Sequence, residues 1–278
     1  METKGAAMNE EYMHINQQRW NEMVGVHAKS AFYDVAGFKA GRNTLAPLER
    51  EELGNVAGKS LLHLQCHFGM DTMSWARLGA KVTGVDYSER AIELAQSLAK
   101  ELAIDAHFVR SNIYDLPNDT LIPEKFDIVY TALGVLGWLP DLKHWGKVIA
   151  HYLKPGGTFY ILEAHPFMLT LDENPPDLKV VYPYFSSEAL KFDSEHSYAD
   201  SVTALTNKTE YGWNHSLSDI FNALLSEGLS IDFFHEFPFC GWPYFSDMET
   251  GEDGWSRFKD EGKRKMVPMM FSLKATKK

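Results

Sequence analysis

Asp86 is the residue whose position speaks most directly of chemistry. It ends the apolar run Lys81-Val-Thr-Gly-Val-Asp86, which follows an earlier one, Lys59-Ser-Leu-Leu-His-Leu-Gln-Cys-His-Phe-Gly69. An apolar strand, a tight turn at Gln65 to Gly69, a helix and a second strand ending in an acid make one half of a nucleotide-binding α/β sheet. Such a turn, opening into a helix N-terminus, presents unpaired backbone N–H groups to a polar ligand. A carboxylate at the end of the next strand, near the spacing of about 20 residues found in dinucleotide folds, accepts hydrogen bonds from both hydroxyls of a ribose. Read instead as a helix cap for the segment that starts at Ser88, Asp86 would do no chemistry.

The elements that must position this turn are legible around it. Residues Met13 to Gly54 predict a helical preamble holding Trp20, His27, Phe32, Tyr33 and Phe38, with Pro47 at the start of a short helix. So many aromatics ahead of the turn read either as a lid, giving an N-terminal unit of residues 1–54, or as a helix packed on the sheet by its aromatic side. Ser88 is a good N-cap, and Ile92, Ala95, Leu98, Ala99 and Leu102 recur at helical spacing, so an amphipathic helix is expected over 88–102. Ala106 to Arg110 and Phe126 to Thr131 read as the third and fourth strands, the fourth followed by the glycine-containing loop Leu133-Gly-Val-Leu-Gly-Trp138. Asp141 caps a helix to about Leu153, Lys154-Pro-Gly-Gly157 stops it, and Thr158 to Leu162 is the fifth strand.

Strands alternating with helices at these intervals imply an α/β fold with a mostly parallel sheet, helices on both faces and ligands over the strand carboxyl ends. This core is expected over 55–165. Sequence rich in Pro, Asp, Ser and Tyr from 166 to 212 is too long for a connector and reads as a cap with a function. From 213 onward, a helix opened by Ser216-Leu-Ser-Asp219 and two strands, Leu229 to Phe237 and Val267 to Ala275, close the same sheet as a hairpin, with an insertion at about 239–264.

Composition narrows the partners. The 278 residues are 45% hydrophobic and carry a formal net charge of −11, which fits one large domain with insertions. Gripping phosphates needs clustered Lys and Arg, and the short Lys263-Arg-Lys265 cluster reads as a solvated loop, so neither nucleic acid nor a membrane is expected as a partner. Met1 to Glu11 is polar rather than signal-like, and no apolar segment reaches membrane-spanning length, so a cytoplasmic address is the expectation. Two cysteines, Cys66 and Cys240, make no disulfide framework, which fits a reducing compartment.

The ordered series Leu-Leu-His-Leu-Gln-Cys-His-Phe-Gly, Val-Thr-Gly-Val-Asp-Tyr-Ser, Asn-Ile-Tyr-Asp-Leu-Pro, Phe-Asp-Ile-Val-Tyr and Leu-Lys-Pro-Gly-Gly, spanning Lys59 to Glu163, resembles the class I S-adenosylmethionine-dependent methyltransferases. With Glu-Ala-His-Pro and Trp-Asn-His, it looks like a bacterial subgroup of these enzymes in which the Gln-Cys-His-Phe-Gly turn is usual. The resemblance implies a Rossmann-like sheet of seven strands whose last is antiparallel, which the closing hairpin fits. It implies S-adenosyl-L-methionine as cofactor and S-adenosyl-L-homocysteine as product. The methionine part would lie over Gln65, His67, Phe68 and Gly69, and the ribose on Asp86. Tyr87 would lie against an adenine face, Asn112 and the Ile113 amide at the adenine edge, and Leu133 and Gly134 beside the sulfonium. The family's first motif usually carries an acid and several glycines. Here His63 stands for the acid, and Gln65 and His67 for the first two glycines. These side chains must point away or touch the cofactor themselves, and contact through Gln65 is expected. Asn112 replaces the usual acid and still offers an oxygen to an adenine amino group.

Methyl transfer from a sulfonium is an in-line displacement, so the protein must bring the acceptor to near-attack distance and exclude water. A base is needed only if the acceptor arrives protonated. The candidates past the sheet edge are Glu163, His165 and His215, with His235 and Glu236 behind them; Glu163 and His165, as i and i+2 at a strand end, are expected to face one pocket. Trp20, His27, Tyr33, Trp138 and Trp213 are candidates for lining that pocket, each with a core reading beside it. Further aromatics, Tyr182, Tyr184, Phe185, Tyr198, Tyr211, Trp242 and Tyr244, favour a small, partly apolar acceptor over a macromolecule. His63 reads as a satisfied core histidine. His63, Cys66 and His67 alternate faces and lack paired metal-ligand spacing, so no metal is expected there; a metal on Glu163, His165 and His215 is the weaker alternative. An NAD-dependent dehydrogenase would want Gly-x-Gly-x-x-Gly at a turn that has only Gly69. The reading from a different class is a noncatalytic nucleotide-ligand or partner-binding module on the same fold. Nothing in the residue pattern speaks to oligomeric state.

Overall fold

The computed structural model describes residues 2–118, 120–173, 177–186 and 188–278. Of the expected cap over 166–212, residues 174–176 and 187 lie outside the described residues. In chain order the elements are α1 (Glu2–His27), α2 (Val35–Lys39), α3 (Pro47–Leu53), β1 (Ser60–Leu64), α4 (Met70–Arg77), β2 (Lys81–Asp86), α5 (Glu89–Glu101), β3 (Ala106–Arg110) and β4 (Phe126–Ala132). There follow α6 (Leu142–Tyr152), β5 (Leu153–Ala164), β6 (Leu190–Asp193), β7 (Thr209–Gly212), α7 (Leu217–Leu225), β8 (Leu229–Phe237), β9 (Met248–Thr250), β10 (Ser256–Phe258), α8 (Glu261–Arg264) and β11 (Met270–Lys277).

The main sheet has seven strands in the order β3-β2-β1-β4-β5-β11-β8. Neighbours from β3 to β5 are parallel, and β11 is antiparallel to both β5 and β8. The chain order reverses between β1 and β4, which opens a crevice over their carboxyl ends. The expected Rossmann-like α/β class with an antiparallel last strand is therefore the observed one.

Two strand boundaries differ from expectation. Lys154-Pro-Gly-Gly157 does not separate α6 from β5 but lies within β5, where pairing jumps from Phe126↔Leu153 to Ile128↔Thr158. The extra residues bulge out of the ladder, and Gly156 takes the positive φ of 74° that this requires. β11 starts at Met270 rather than Val267 because Pro268 has no N–H to give to a ladder.

Three apolar clusters flank the sheet. Trp145, Phe159 and Phe271 are buried under α6 and α7, whose backbones approach so closely that a Cβ at Gly146 would sit 2.1 Å from the Ala223 carbonyl oxygen. On the other face Trp75, Tyr130, Tyr160 and Phe258 pack beneath α3 and the β9–β10 hairpin. Phe38, Phe68, Phe108 and the apolar face of α5 form the third. α5 is capped by Ser88, whose Oγ accepts from the Ala91 N–H at 3.1 Å. His63 is buried with Nδ1 2.8 Å from Thr72 Oγ1, and burial pushes it down to about 3. Among the described residues no helix is long and apolar enough to cross a membrane.

Glu49, in α3, is the buried acid of this core. Its Oε2 accepts from the Ala46 N–H at 2.7 Å and its Oε1 from the Tyr130 hydroxyl. Burial, and then nearby Asp71, push its pKa from 4.5 up to about 8. The native state thus keeps a proton that the unfolded chain releases above pH 4.5, so this group's contribution falls as pH rises towards 8, at about 1 kcal/mol per pH unit. Glu49→Gln is neutral throughout. Urea midpoints measured from pH 5 to 8 are expected to decline less steeply for this variant than for the native protein, and parallel curves would show that Glu49 does not titrate in that window.

Candidate active site

The turn after β1 is held in an unusual backbone shape. Gln65 and His67 have φ of 57° and 50°, values that L residues seldom adopt and that gather at functional sites. Gly69, at 76°, has no room for a side chain, because a Cβ there would lie 2.4 Å from the Phe108 ring. What holds the turn is Asp86. Its Oδ2 accepts from the His67 N–H at 2.8 Å and its Oδ1 from the Ser88 N–H at 2.8 Å. Burial pushes this carboxyl up to about 6 against the pull of those donors.

Two side-chain atoms in the turn are buried and have no partner among the described residues, Gln65 Oε1 and His67 Nδ1. The opposite end of each is committed. Gln65 Nε2 donates to the Val135 carbonyl at 3.0 Å, and His67 Nε2 lies 3.0 Å from His27 Nδ1. His27 Nε2 in turn lies 2.6 Å from Ser197 Oγ. Burial, and then Arg19, lower His27 to about 4, and burial followed by His27 lowers His67, so this pair is uncharged at neutral pH. A buried orphan carbonyl next to a ring nitrogen fits the ammonium and carboxylate of an amino acid, so the turn suits the methionine part of S-adenosylmethionine despite the two missing glycines.

The other cofactor candidates lie along the same crevice. Tyr87 offers its ring to the Arg110 guanidinium at 5.3 Å, and its carbonyl accepts from Gln17 of α1 at 2.9 Å. Asn112 Oδ1 accepts from the Tyr114 N–H at 3.1 Å, while its Nδ2 is 4.0 Å from Met13 Sδ. Its side-chain oxygen, expected at an adenine amino group, is therefore already engaged locally. Ile113 is buried, and Leu133 and Gly134 follow β4 with φ of 46° and 77°. Phe68 departs from expectation: its side chain is only 1% exposed and packs into the α4–α5 cluster, so only its backbone borders the turn.

Glu163, at the end of β5, has its carboxylate filled by backbone. Oε1 accepts from the N–H groups of Gly134 and Ala164, both at 2.6 Å, and Oε2 from those of Val135 and Leu136 at 2.7 and 3.1 Å. Burial raises its pKa and these four donors lower it. It shapes the loop after β4, whose Val135 carbonyl also receives Gln65. That loop is one wall of a cavity of about 360 Å³ lined by Gly134, Leu136, Trp138, Glu163, Trp213, Asn214 and His215, with residues of the cap and of the 239–264 insertion opposite.

The expected pairing of Glu163 with His165 does not hold. β5 ends at Ala164, and the alternation of faces ends with it. His165 turns to the far side, with Nδ1 accepting from the Phe167 N–H at 3.1 Å and Nε2 lying 3.0 Å from Glu236 Oε1. His235 is on the outer strand, 2.8 Å from Glu52. Neither faces the cavity, and Glu163, His165 and His215 do not converge on a metal position. Among the described residues no group of three His, Cys, Asp or Glu is arranged to hold a metal ion. His215 does line the cavity, its Nε2 donating to the Leu139 carbonyl at 2.7 Å, and burial lowers its pKa.

The five pocket aromatics also divide. Trp138 and Trp213 line the cavity. Trp20 stands edge-on between Trp138 and His67, at centroid distances of 5.3 and 5.2 Å. His27 and Tyr33 are stacked at 4.9 Å over the first turn, away from the cavity. Trp20 and His27 come from α1 and Tyr33 from the turn that follows it, and the inward face of α1 is polar as well as aromatic. Arg19, 2% exposed, donates to Glu210 at 2.6 Å and to the carbonyls of Ser194, His196, Asn207 and Lys208, pinning the β6–β7 hairpin. Asn16 pairs with both the N–H and the carbonyl of Tyr211, at 2.8 and 2.7 Å, much as a neighbouring strand would. Sequence reading missed Arg19, Glu210, Asp172, Glu173 and Asn214. Only Asn214 carried a signal, standing between Trp213 and His215.

The fold is that of the class I S-adenosylmethionine-dependent methyltransferases. Residues 62–159 match the family model described as a methyltransferase domain. Over 125 residues, 45% of the chain, the sequence is 31% identical to a ubiquinone biosynthesis O-methyltransferase of Pseudomonas syringae, of which the match covers 50%. The chain thus spans about half the length of the curated relatives it matches. An S-adenosylmethionine-dependent methyltransferase from Mesorhizobium loti superposes with a TM-score of 0.54 at 17% identity, covering 86% of this chain and all (100%) of that one. The geranyl diphosphate C-methyltransferase of Streptomyces coelicolor, solved with S-adenosyl-L-homocysteine, superposes with a TM-score of 0.52 at 16% identity over 82% of this chain and 76% of its own.

Proposed function

We propose that the protein transfers the methyl group of S-adenosylmethionine to a small, partly apolar molecule seated in the cavity beside the β4 loop. The observation that carries this reading is the link from Gln65 to the Val135 carbonyl, which joins the cofactor-type turn to the wall of the cavity. S-adenosylmethionine, when bound, supplies a methyl carbon on a sulfonium that is open to in-line displacement. The chain supplies the rest. Asp86 accepts from ribose hydroxyls, Gln65 Oε1 and His67 Nδ1 receive the amino-acid end, and Tyr87, Asn112 and the Ile113 N–H border the base. Glu163 acts as a positioning residue, fixing Gly134 to Leu136 at the junction of the two sites. Trp20 and Trp138 keep water from that junction. His215, neutral through burial, takes a proton from an acceptor that arrives with one.

Calorimetric titration of the whole chain tests the cofactor half. Saturable binding of S-adenosylmethionine and S-adenosylhomocysteine, with none of NAD, is the expected result. Absence of binding would overturn the enzyme reading and leave a binding module on this fold.

A further inference from the structure

The cavity wall carries charge of one sign. Among its described lining residues there is no Lys or Arg, whereas Glu163, Asp172, Glu173 and Glu210 all contribute. Glu163 is answered by backbone donors and Glu210 by Arg19, and Asp172 is engaged as well. Glu173 stands at the open rim of this wall, exposed to solvent, where partial burial, and then the neighbouring Asp172, raise its pKa. A second, independent feature faces the same space. Asn214, 5% exposed, commits its Nδ2 to the carbonyls of Pro183 and Pro166 at 3.0 and 3.4 Å. Because both partners are acceptors, the amide orientation is fixed, and Oδ1 is left buried with no partner among the described residues. A buried orphan acceptor calls for a donor. The rings of Trp213, Trp242 and Tyr244 complete the wall, and aromatic faces attract cations.

Resting on the methyltransferase reading above, we propose that the acceptor is a small amine that enters as its ammonium ion, with nitrogen as the methylated atom. Glu173 supplies the opposite charge, Asn214 Oδ1 accepts an ammonium N–H, and Trp213, Trp242 and Tyr244 pack around the carbon body. The ammonium gives one proton to His215, and the freed nitrogen lone pair forms the new bond to the methyl carbon. The carbon–sulfur bond breaks with its electron pair on sulfur, leaving the thioether S-adenosylhomocysteine, the N-methylated ammonium and the proton on His215. An alcohol or phenol would bring no charge to answer Glu173.

The test is calorimetric titration of the full chain, with and without S-adenosylhomocysteine, using benzylamine and phenethylamine against benzyl alcohol and 2-phenylethanol. Each amine is expected to bind at least about tenfold more tightly than its alcohol. Glu173→Gln is expected to abolish that preference with melting temperature and S-adenosylhomocysteine affinity unchanged, and Asn214→Leu to reduce it. Equal or tighter alcohol binding, a preference that survives Glu173→Gln in folded protein, or no amine binding up to about 10 mM would each overturn the proposal. Amine preference without S-adenosylhomocysteine binding would overturn the cofactor reading alone, since the amine site is read in both states.

Discussion

Glu163→Gln is expected to lower stability by about 2–4 kcal/mol, because a buried carboxylate that accepts from four backbone N–H groups cannot be replaced by an amide whose NH₂ faces some of those same donors. For a chain of this size the fall in Tm is roughly 5–10 °C. Methyl transfer is expected to fall with it, because Gly134, Val135 and Leu136 lose the group that fixes their shape. Differential scanning calorimetry beside a single-turnover assay separates the two possible roles. A large rate loss with unchanged Tm would make Glu163 a base after all; a Tm loss with partial activity recovered at low temperature fits a residue that holds the loop.

Asp86→Ala is expected to weaken S-adenosylhomocysteine binding by about 5- to 150-fold, the cost of losing charge-assisted hydrogen bonds worth about 1–3 kcal/mol. Asp86 ties the His67 N–H and the Ser88 N–H together, so the variant also releases the turn at its strained residue. Asp86→Asn keeps one acceptor oxygen and should lie between. The native pKa of about 6 adds a signature in pH. Only the carboxylate accepts from two hydroxyls, so affinity should fall as pH drops through about 6, and the Asn variant should lose that dependence. Titrations at pH 5, 6 and 7.5 measure both effects. Unchanged affinity in the folded Ala variant would remove Asp86 from the site.

These expectations rest on unequal kinds of information. Asp86, the turn before α4, the Ser88 and Ser216 caps and the alternation of strands and helices were legible in the sequence because each depends on residues close together in the chain. The seven strands and the antiparallel position of β11 could be anticipated from the resemblance of an ordered motif series, whereas the strand order is seen only in the folded chain. Two boundaries slipped where one residue decided matters locally, Gly156 by allowing a bulge and Pro268 by denying a donor.

The division of labour among the polar residues was settled elsewhere. Glu163 and His165 stand two apart, yet one meets the backbone of the β4 loop and the other Glu236 on β8, because the strand ends between them and each side chain then follows a different tertiary neighbour. Arg19 and Asn16 look like the solvated face of a helix until β6 and β7 arrive from nearly 200 residues away to accept them. The acid-lined cavity joins the β4 loop to segments on both sides of α7, and no local pattern announces it. Sequence alone determined the fold class and the cofactor-type turn, since backbone propensity and hydrophobic period act over short range. The cavity proposed for the acceptor was decided only by tertiary structure, because burial and the pairing of charges across the chain set which polar groups stay available to a ligand.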